Sequence, residues 1–399
     1  MTLAGLLAPT EPADFFERYF ERSPLHVARA DGGYFAGLYG IADVEAALQL
    51  GAADVGRFTM TKDGTPIEGA ELRLQRASPR MRFTGRQSSA VLDPRAIAAR
   101  FERGYTLLIN DAGLFSPRLQ ALCNRIQRET LIYAQANAYL TPPHGQGFSL
   151  HHDTHDTLVL QIEGVKQWRV YEPSVMLPIE SQPLTTGQPQ GEARLFDLSA
   201  GDTLYLPRGY RHECTAGNSR SLHLTLALLP VRVIELAEAA LHLAATTDVE
   251  LRRALPIGWH DSEDVPERLG TFIAERLREA FTGAGMRAAR NLVINELFAT
   301  TRTMADGAIT GVARLADFND STRIALRDDA PYLLRAGGSD VQLIVAGKST
   351  TIPESCVPAI RALASGPMTL AALQAMLPDA GWLLARMLVL DGLATILDP

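Results

Sequence analysis

The stretch NAYLTPPHGQGFSLHHDTHDTLVLQIEGVKQWRVYEP, residues 137–173, decides the fold class. Its segments DTLVLQIEG (156–164) and KQWRVYEP (166–173) are rich in β-branched, aliphatic and aromatic residues and are cut by Gly and Pro, which predicts strands separated by turns. The same texture continues on both sides, in TLIYAQANAYL (130–140), GDTLYLPRG (201–209) and SLHLTLALL (221–229). No helical segments alternate with these strands. A doubly wound parallel sheet is therefore disfavoured, and a closed or double-sheet β structure is expected over about 129–229.

The flanks read differently. PADFFERYFERS (12–23) predicts an amphipathic helix that opens on a proline and covers a core with Phe15, Phe16, Tyr19 and Phe20. ADVEAALQL (42–50) and DPRAIAARFERG (93–104) predict further short helices closed by glycine. From about 231 to 300 the text is helical again. The last part gives a strand at VQLIVAG (341–347), helices at ESCVPAIRALAS, TLAALQAML and GWLLARMLVL, and a strand at DGLATIL (391–397). That order resembles a winged helix. Residues 311–399 carry seven basic against nine acidic side chains, the wrong sign for reading DNA, so a protein-facing or structural module is expected there. The class is α+β.

Composition narrows the function. A chain of 399 residues exceeds one ordinary domain. With 46% hydrophobic and 21% charged residues it is expected to fold. Its 38 basic and 45 acidic side chains leave a net charge of -7, which argues against nucleic acid as the main partner. Cys123, Cys214 and Cys356 show no paired spacing, so neither a disulfide framework nor a cysteine zinc site is expected. No run approaches the ~20 apolar residues of a membrane span, and the opening MTLAGLLAPTEPADFF lacks the pattern of a signal peptide. A soluble, cytoplasmic protein is the expectation.

Two oddities point to chemistry. Lysine occurs only at Lys62, Lys166 and Lys348, and six of the nine histidines fall between His144 and His223. In FSLHHDTHD (148–156), a strand places His151 and Asp153 on one face. With His212 after GDTLYLPRGYR they compose two imidazoles and a carboxylate. Such a facial triad leaves three metal sites open, as non-haem Fe(II) oxygenases require for cosubstrate and O2. Singly, His151, His152 and His212 are as well read as ordinary strand, loop or core histidines; together in one β domain they favour metal. Lys166 lies in the strand EGVKQWRVY. An inward ammonium needs an anion, and the distal carboxylate of 2-oxoglutarate supplies one. The plainer alternative is an outward Lys166 paired with Glu163 or Glu172.

At this point the residues resemble a family. Residues 137–173 are similar to the JmjC-type 2-oxoglutarate oxygenases, in particular the ribosomal-oxygenase branch; FFERYFERSPLHV (15–27) resembles that family's opening, and GDTLYLPRGYRH (201–212) the segment with its distal histidine. The resemblance implies a cupin-like JmjC double-stranded β-helix over 1–229, a helical dimerisation region over 230–309 and a winged-helix-like domain over 310–399. It implies His151, Asp153 and His212 as Fe(II) ligands and Lys166 as the 2-oxoglutarate lysine. Asn137, Tyr139 and Thr225 fall at cosubstrate-side positions. His223 shares the face of Thr225, and His223 and His155 are both substrate-side candidates, His155 either lining the substrate mouth or competing for the metal. The chain departs from the family's eukaryotic pattern in having Ser149 and Leu150 before the pair His151-His152. The implied reaction uses O2 and 2-oxoglutarate to hydroxylate a histidine or arginine of a protein, a ribosomal protein among the candidates. A homodimer is implied as well. Two alternatives stay open from sequence: a tailoring hydroxylase of a small molecule or ribosomally made peptide, and a non-catalytic scaffold.

Overall fold

The computed structural model describes residues 1–397 except 68, 78–87, 181–190, 262–264, 305–306 and 337–339. It divides into two compact units, Met1–Leu229 and Pro230–Pro399. In the first, strands run β1 (Leu25–Val27), β2 (Phe58–Lys62), β3 (Thr65–Pro66), β4 (Arg73–Ala77), β5 (Ser88–Leu92), β6 (Thr106–Ile109), β7 (Tyr133–Thr141), β8 (Asp156–Glu163), β9 (Val165–Tyr171), β10 (Arg194–Ser199), β11 (Thr203–Leu206), β12 (Arg211–Ala216) and β13 (Ser221–Leu229). Among the described residues they form a large antiparallel sheet in the order β1-β11-β8-β13-β7-β6-β2-β3 and a small one, β10-β9-β12, with β4 and β5 paired apart.

Alternation along the strands decides what lies on each face. On β13, Leu222, Leu224, Leu226 and Leu228 join Ala134, Ala136 and Ala138 of β7 in one core, which also takes in Phe15, Leu119, Leu122 and Ile126 from helices. The other face of the same strands carries His223 and Thr225, opposite Tyr139 and Asn137 in register. Small alanines on β7 let the helix Pro117–Thr130 pack close to the sheet. Between the two sheets lies a second core of Val159, Leu204 and Leu206 from the large sheet and Trp168, Val170 and Leu198 from the small one. On β9 the buried residues are Lys166, Trp168 and Val170, every second residue.

Several expectations shift. The helix expected over 12–23 is shorter, Pro12–Arg18, because the chain turns at Glu21, whose φ is positive. The N-terminal part, expected to be helical and irregular, supplies β1, β2, β3 and β6 to the large sheet. His151 and Asp153 do not lie on a continuous strand. Pro142, Pro143, Gly145 and Gly147 interrupt β7, His151 keeps a single bridge to His212, and regular pairing resumes at Asp156.

The second unit contains helices Val233–Thr247, Val265–Leu277 and Gly283–Ala299. Ala239, Ala240, Ala289 and Val293 form a small core between the first and third of them. Further on, helices Val357–Ser365, Leu370–Met376 and Gly381–Leu390 share a separate core with the three-stranded sheet containing Asp340–Val345. The strands Arg323–Leu326, Tyr332–Ala336 and Lys348–Pro353 go beyond what the sequence suggested. Among the described residues no helix is long and apolar enough to cross a membrane.

The two sheets of the first unit are joined by a tight turn at Gly164. This residue passes the chain from β8 in the large sheet to β9 in the small sheet, with φ +74°. A Cβ there would lie 2.1 Å from the Arg220 carbonyl oxygen. Both the left-handed backbone and the lack of space select glycine. Gly164→Ala is therefore expected to destabilise the fold by more than about 1 kcal/mol, read as a lower urea midpoint; an unchanged midpoint would mean the turn relaxes freely.

Candidate active site

One cavity opens between the two sheets, about 600 Å3 including its mouth. Its wall contains His151, Asp153 and His155 from the segment before β8, Lys166 from β9 and His212 from β12. Asn137 and Tyr139 of β7 and His223 and Thr225 of β13 complete it from the large sheet. All nine residues singled out from the sequence thus meet in one place.

His151, Asp153 and His212 form the tightest cluster, with a ligand atom of each lying within 4.8 Å of the others. His151, not the adjacent buried His152, is the member of this group. Nε2 of His151 is 3.9 Å from Oδ1 of Asp153, and Nε2 of His212 is 3.7 Å from Oδ2. The two chain segments are held together by reciprocal backbone bonds: the His212 N–H donates to the His151 carbonyl at 2.7 Å and the His151 N–H to the His212 carbonyl at 3.2 Å. Each ring is fixed in the same way. Nδ1 of His151 lies 2.8 Å from the Ser149 carbonyl oxygen, and Nδ1 of His212 3.0 Å from that of Tyr210. A carbonyl can only accept, so Nδ1 carries the proton and Nε2 presents its lone pair to the cavity. Thr157 donates to Oδ2 of Asp153 at 3.2 Å. Two imidazoles with anchored far nitrogens and one hydrogen-bonded carboxylate are the donor set for a divalent metal.

Lys166 faces the same cavity at 2% exposure. The outward alternative fails: Glu163 pairs with Arg220 at 2.6 Å and Glu172 with Arg194. The Lys166 ammonium donates to the Thr141 hydroxyl at 2.9 Å, reaches Nδ1 of His223 at 3.4 Å and has Cys214 beside it. No carboxylate contacts it among the described residues. Burial pushes its pKa down. His223, stacked on Tyr139 with ring centroids 4.7 Å apart, is held well below the usual imidazole value, first by burial and then by Lys166. Asn137 is turned partly away, its Oδ1 accepting the Asp111 N–H at 2.9 Å.

Sequence reasoning missed Thr141, Trp168 and Cys214. Each stands two residues beyond a residue it had named, Tyr139, Lys166 and His212, and each is brought to the site by the strand period of two. Trp168 packs between His212 and His223 with ring centroids 5.7 and 5.6 Å away, and its buried Nε1 has no hydrogen-bond partner among the described residues. Thr106 of β6 lines the cavity and donates to Thr141 at 3.1 Å.

The site's charge is set by burial against a cluster of imidazoles. Burial raises the Asp153 carboxyl, but His212, His155 and His151 together with the Thr157 hydroxyl outweigh it, and the net shift is downward. His212 is pushed down to about 4, by burial first and by His151 second. In the unfolded chain its value returns to about 6.5. Between those values the unfolded state holds a proton that the folded state lacks. The contribution of His212 is therefore complete above about pH 6.5 and lost as pH falls toward 4. The metal-free protein is expected to lose stability on acidification through that window. His212→Gln should reduce the slope by up to about 1.4 kcal/mol per pH unit; equal slopes in denaturation curves of the two proteins would refute the assignment.

With this geometry in view, residues 112–236 match the JmjC domain family. The chain is 33% identical over 285 residues to ribosomal oxygenase 1 of Gallus gallus, covering 67% of this chain and 45% of the relative. It is 32% identical over 281 residues to the bifunctional lysine-specific demethylase and histidyl-hydroxylase NO66 of Drosophila persimilis, covering 69% and 38%. The chain spans half or less of the length of these curated relatives. The structure of YcfD, a ribosomal oxygenase from Escherichia coli, is similar over 98% of this chain and 99% of YcfD, with a TM-score of 0.57 and 16% identity. A second YcfD structure, in complex with cobalt and 2-oxoglutarate, matches with a TM-score of 0.56 and 15% identity over 97% and 98% of the two chains. At that identity the likeness establishes the shared fold.

Proposed function

The chain carries a JmjC domain, and from that premise we propose that it is a 2-oxoglutarate- and Fe(II)-dependent oxygenase that hydroxylates a histidine or arginine side chain of a protein. The observation that carries the reading is the placement of a buried Lys166, with no carboxylate against it among the described residues, in the same cavity as His151, Asp153 and His212. Fe(II) held by those three side chains supplies O2 activation coupled to oxidative decarboxylation of 2-oxoglutarate to succinate and CO2.

The protein's own residues do the rest. Lys166 and the Thr141 hydroxyl bind the distal carboxylate of the cosubstrate and orient it from the closed end of the cavity. Asn137, Tyr139 and Thr225 line its path, and His223 stacked on Tyr139 limits its width. Trp168 seals one wall beside His212 and keeps water from the reacting centre. His155, on the ligand loop, faces the substrate.

A protein substrate is favoured by the named activities of the relatives, one a histidyl-hydroxylase, and a ribosomal protein by the names of others. The net charge of -7 suits a cationic segment and disfavours nucleic acid as partner. Cytoplasmic location belongs to the same reading. Residues 230–309 are assigned as a dimerisation region and 310–399 as a winged-helix-like module. Leu241, Leu255, Ile257, Trp259, Ile273 and Phe281 leave large apolar surfaces exposed in the helical region. Light scattering is expected to give twice the 43.4 kDa chain mass; a monomer at micromolar concentration would remove the dimer.

The deciding experiment is succinate formation from 2-oxoglutarate by iron-loaded protein on adding O2, with and without a pool of ribosomal proteins. Turnover stimulated by the pool and abolished by Asp153→Ala is expected. Turnover indifferent to the pool would transfer the reading to a small-molecule or peptide substrate, and its absence together with absent 2-oxoglutarate binding would overturn the oxygenase. Lys166→Ala is expected to weaken 2-oxoglutarate binding by ~1.5–3 kcal/mol, the range of a charge-assisted hydrogen bond, measured by calorimetry; unchanged affinity would displace Lys166 from that role.

A further inference from the structure

Between the two segments that carry the metal-binding side chains lies a buried ion pair that no part of the proposed reaction uses. Strands β8 and β11 pair in register from Thr203↔Leu160 to Leu206↔Thr157. Beyond Thr157 and Leu206 the pairing of these two strands ends, and the two segments run on as a fork. One prong leads back through Asp156 to Asp153 and His151; the other leads through Arg208 and Gly209 to His212. At the root of the fork Asp156, fully buried, accepts three hydrogen bonds. Its Oδ2 receives Nη1 of Arg208 at 2.8 Å, and its Oδ1 receives the Tyr205 hydroxyl at 2.7 Å and the Arg208 backbone N–H at 3.4 Å. The next backbone N–H, that of Gly209, donates to the Asp153 carbonyl at 3.0 Å. One residue further, the Tyr210 carbonyl takes the Nδ1 proton of His212.

We propose that Asp156 and Arg208 are positioning residues that set the spacing between Asp153 and His212, and so determine metal affinity and coordination geometry; the inference rests on the metal-site reading above. The carboxylate clamps the side chain and the backbone of Arg208 at once, so it fixes the turn as well as the charge. Gly209, with φ +93° and no room for a Cβ (the Val175 carbonyl oxygen would lie 2.5 Å away), comes immediately after, and the turn has little freedom of its own. Glu21 holds the same Nη1 from the outer side at 2.5 Å, and the Tyr205 hydroxyl accepts the Glu21 N–H at 2.8 Å. Arg208 is thus wedged between two carboxylates with its side chain only 6% exposed. The charged clamp sits where the β8–β11 ladder stops, and it braces two prongs that are otherwise joined to each other by the Gly209–Asp153 bond and the His151–His212 bridge. Ligand orientation by neighbours one shell out is a general feature of metal sites, and removing such partners costs about 10–100-fold in metal affinity.

The test titrates Co(II) into the full-length metal-free protein under anaerobic conditions and tracks both the binding isotherm and the visible d–d bands. Asp156→Asn keeps the shape of the side chain and removes the charge. It is expected to weaken Co(II) binding at least about 10-fold and to alter the bands. Arg208→Lys keeps the charge but not the guanidinium that holds Nη1 between Asp156 and Glu21; it is expected to weaken binding as well, and serves if Asp156→Asn does not fold. Asp202→Asn is the stability control. Asp202 is equally buried, accepts the Arg29 and Ser199 N–H groups at 2.6 and 2.8 Å, and sits just before the opposite end of β11. It should lower the melting temperature while leaving Co(II) affinity and bands unchanged. If Asp156→Asn and Arg208→Lys lower the melting temperature but bind Co(II) as the parent does, with the same spectrum, the pair is a structural brace and the inference is overturned. If the parent protein itself binds no Co(II), the metal-site reading falls, and this inference with it.

Discussion

An ammonium group that the fold forces into a closed space sets the terms for the rest of the site. Lys166 is the first of three buried residues at every second position of β9, on a strand whose other face is already used by Val165, Gln167 and Arg169. It is shut off from solvent and meets no carboxylate among the described residues. A buried charge without a counter-ion costs several kcal/mol, and hydroxyl, imidazole and thiol neighbours relieve that only in part. A divalent ion held by two imidazoles and one carboxylate would add a further net positive charge in the same cavity. A cavity with positive charge at both ends is complementary to a small dianion with carboxylates at both ends, and this complementarity selects the ligand class more sharply than cavity shape does.

The metal-binding side chains are governed by a different constraint. His151 and Asp153 stand on chain without a regular ladder while His212 stands on β12, paired with Val170 of β9, and yet three ligand atoms have to converge. Short-range bonds do this. Both histidines give their Nδ1 proton to the carbonyl two residues earlier, Ser149 for His151 and Tyr210 for His212, so each ring is oriented by its own segment. The segments are then tied to one another by the reciprocal His151–His212 bridge and by the Gly209–Asp153 bond. Local geometry aims the rings and long-range backbone pairing sets their separation.

Much of this was legible in the sequence because strand periodicity projects a one-dimensional pattern onto one face. Asn137 and Tyr139, and His223 and Thr225, were named as i, i+2 pairs and occupy one wall. The same rule carried two residues further reaches Thr141, Trp168 and Cys214, which were not named because nothing in an isolated threonine, tryptophan or cysteine marks it as cavity-lining. Strands β1, β2 and β6 escaped notice because they are short and are buried by pairing with strands far away in the chain. His151 and Asp153 do converge as their spacing suggested, although the segment that carries them is irregular, with one isolated bridge in place of a continuous strand.

The sequence by itself determined the donor set, the single lysine of the β-rich region and the order of strands and helices, because residue type and periodicity are local properties that survive without a partner. What tertiary structure decided was burial and distance: that Lys166 faces inward beside Thr141, His223 and Cys214, that His151 and not His152 joins His212, and that Asp156 and Arg208 close the fork between the ligand segments. Those depend on pairings between residues 50 or more positions apart, such as Asp156 with Arg208 or His151 with His212. No local pattern encodes a separation that comes into being only when two sheets pack face to face.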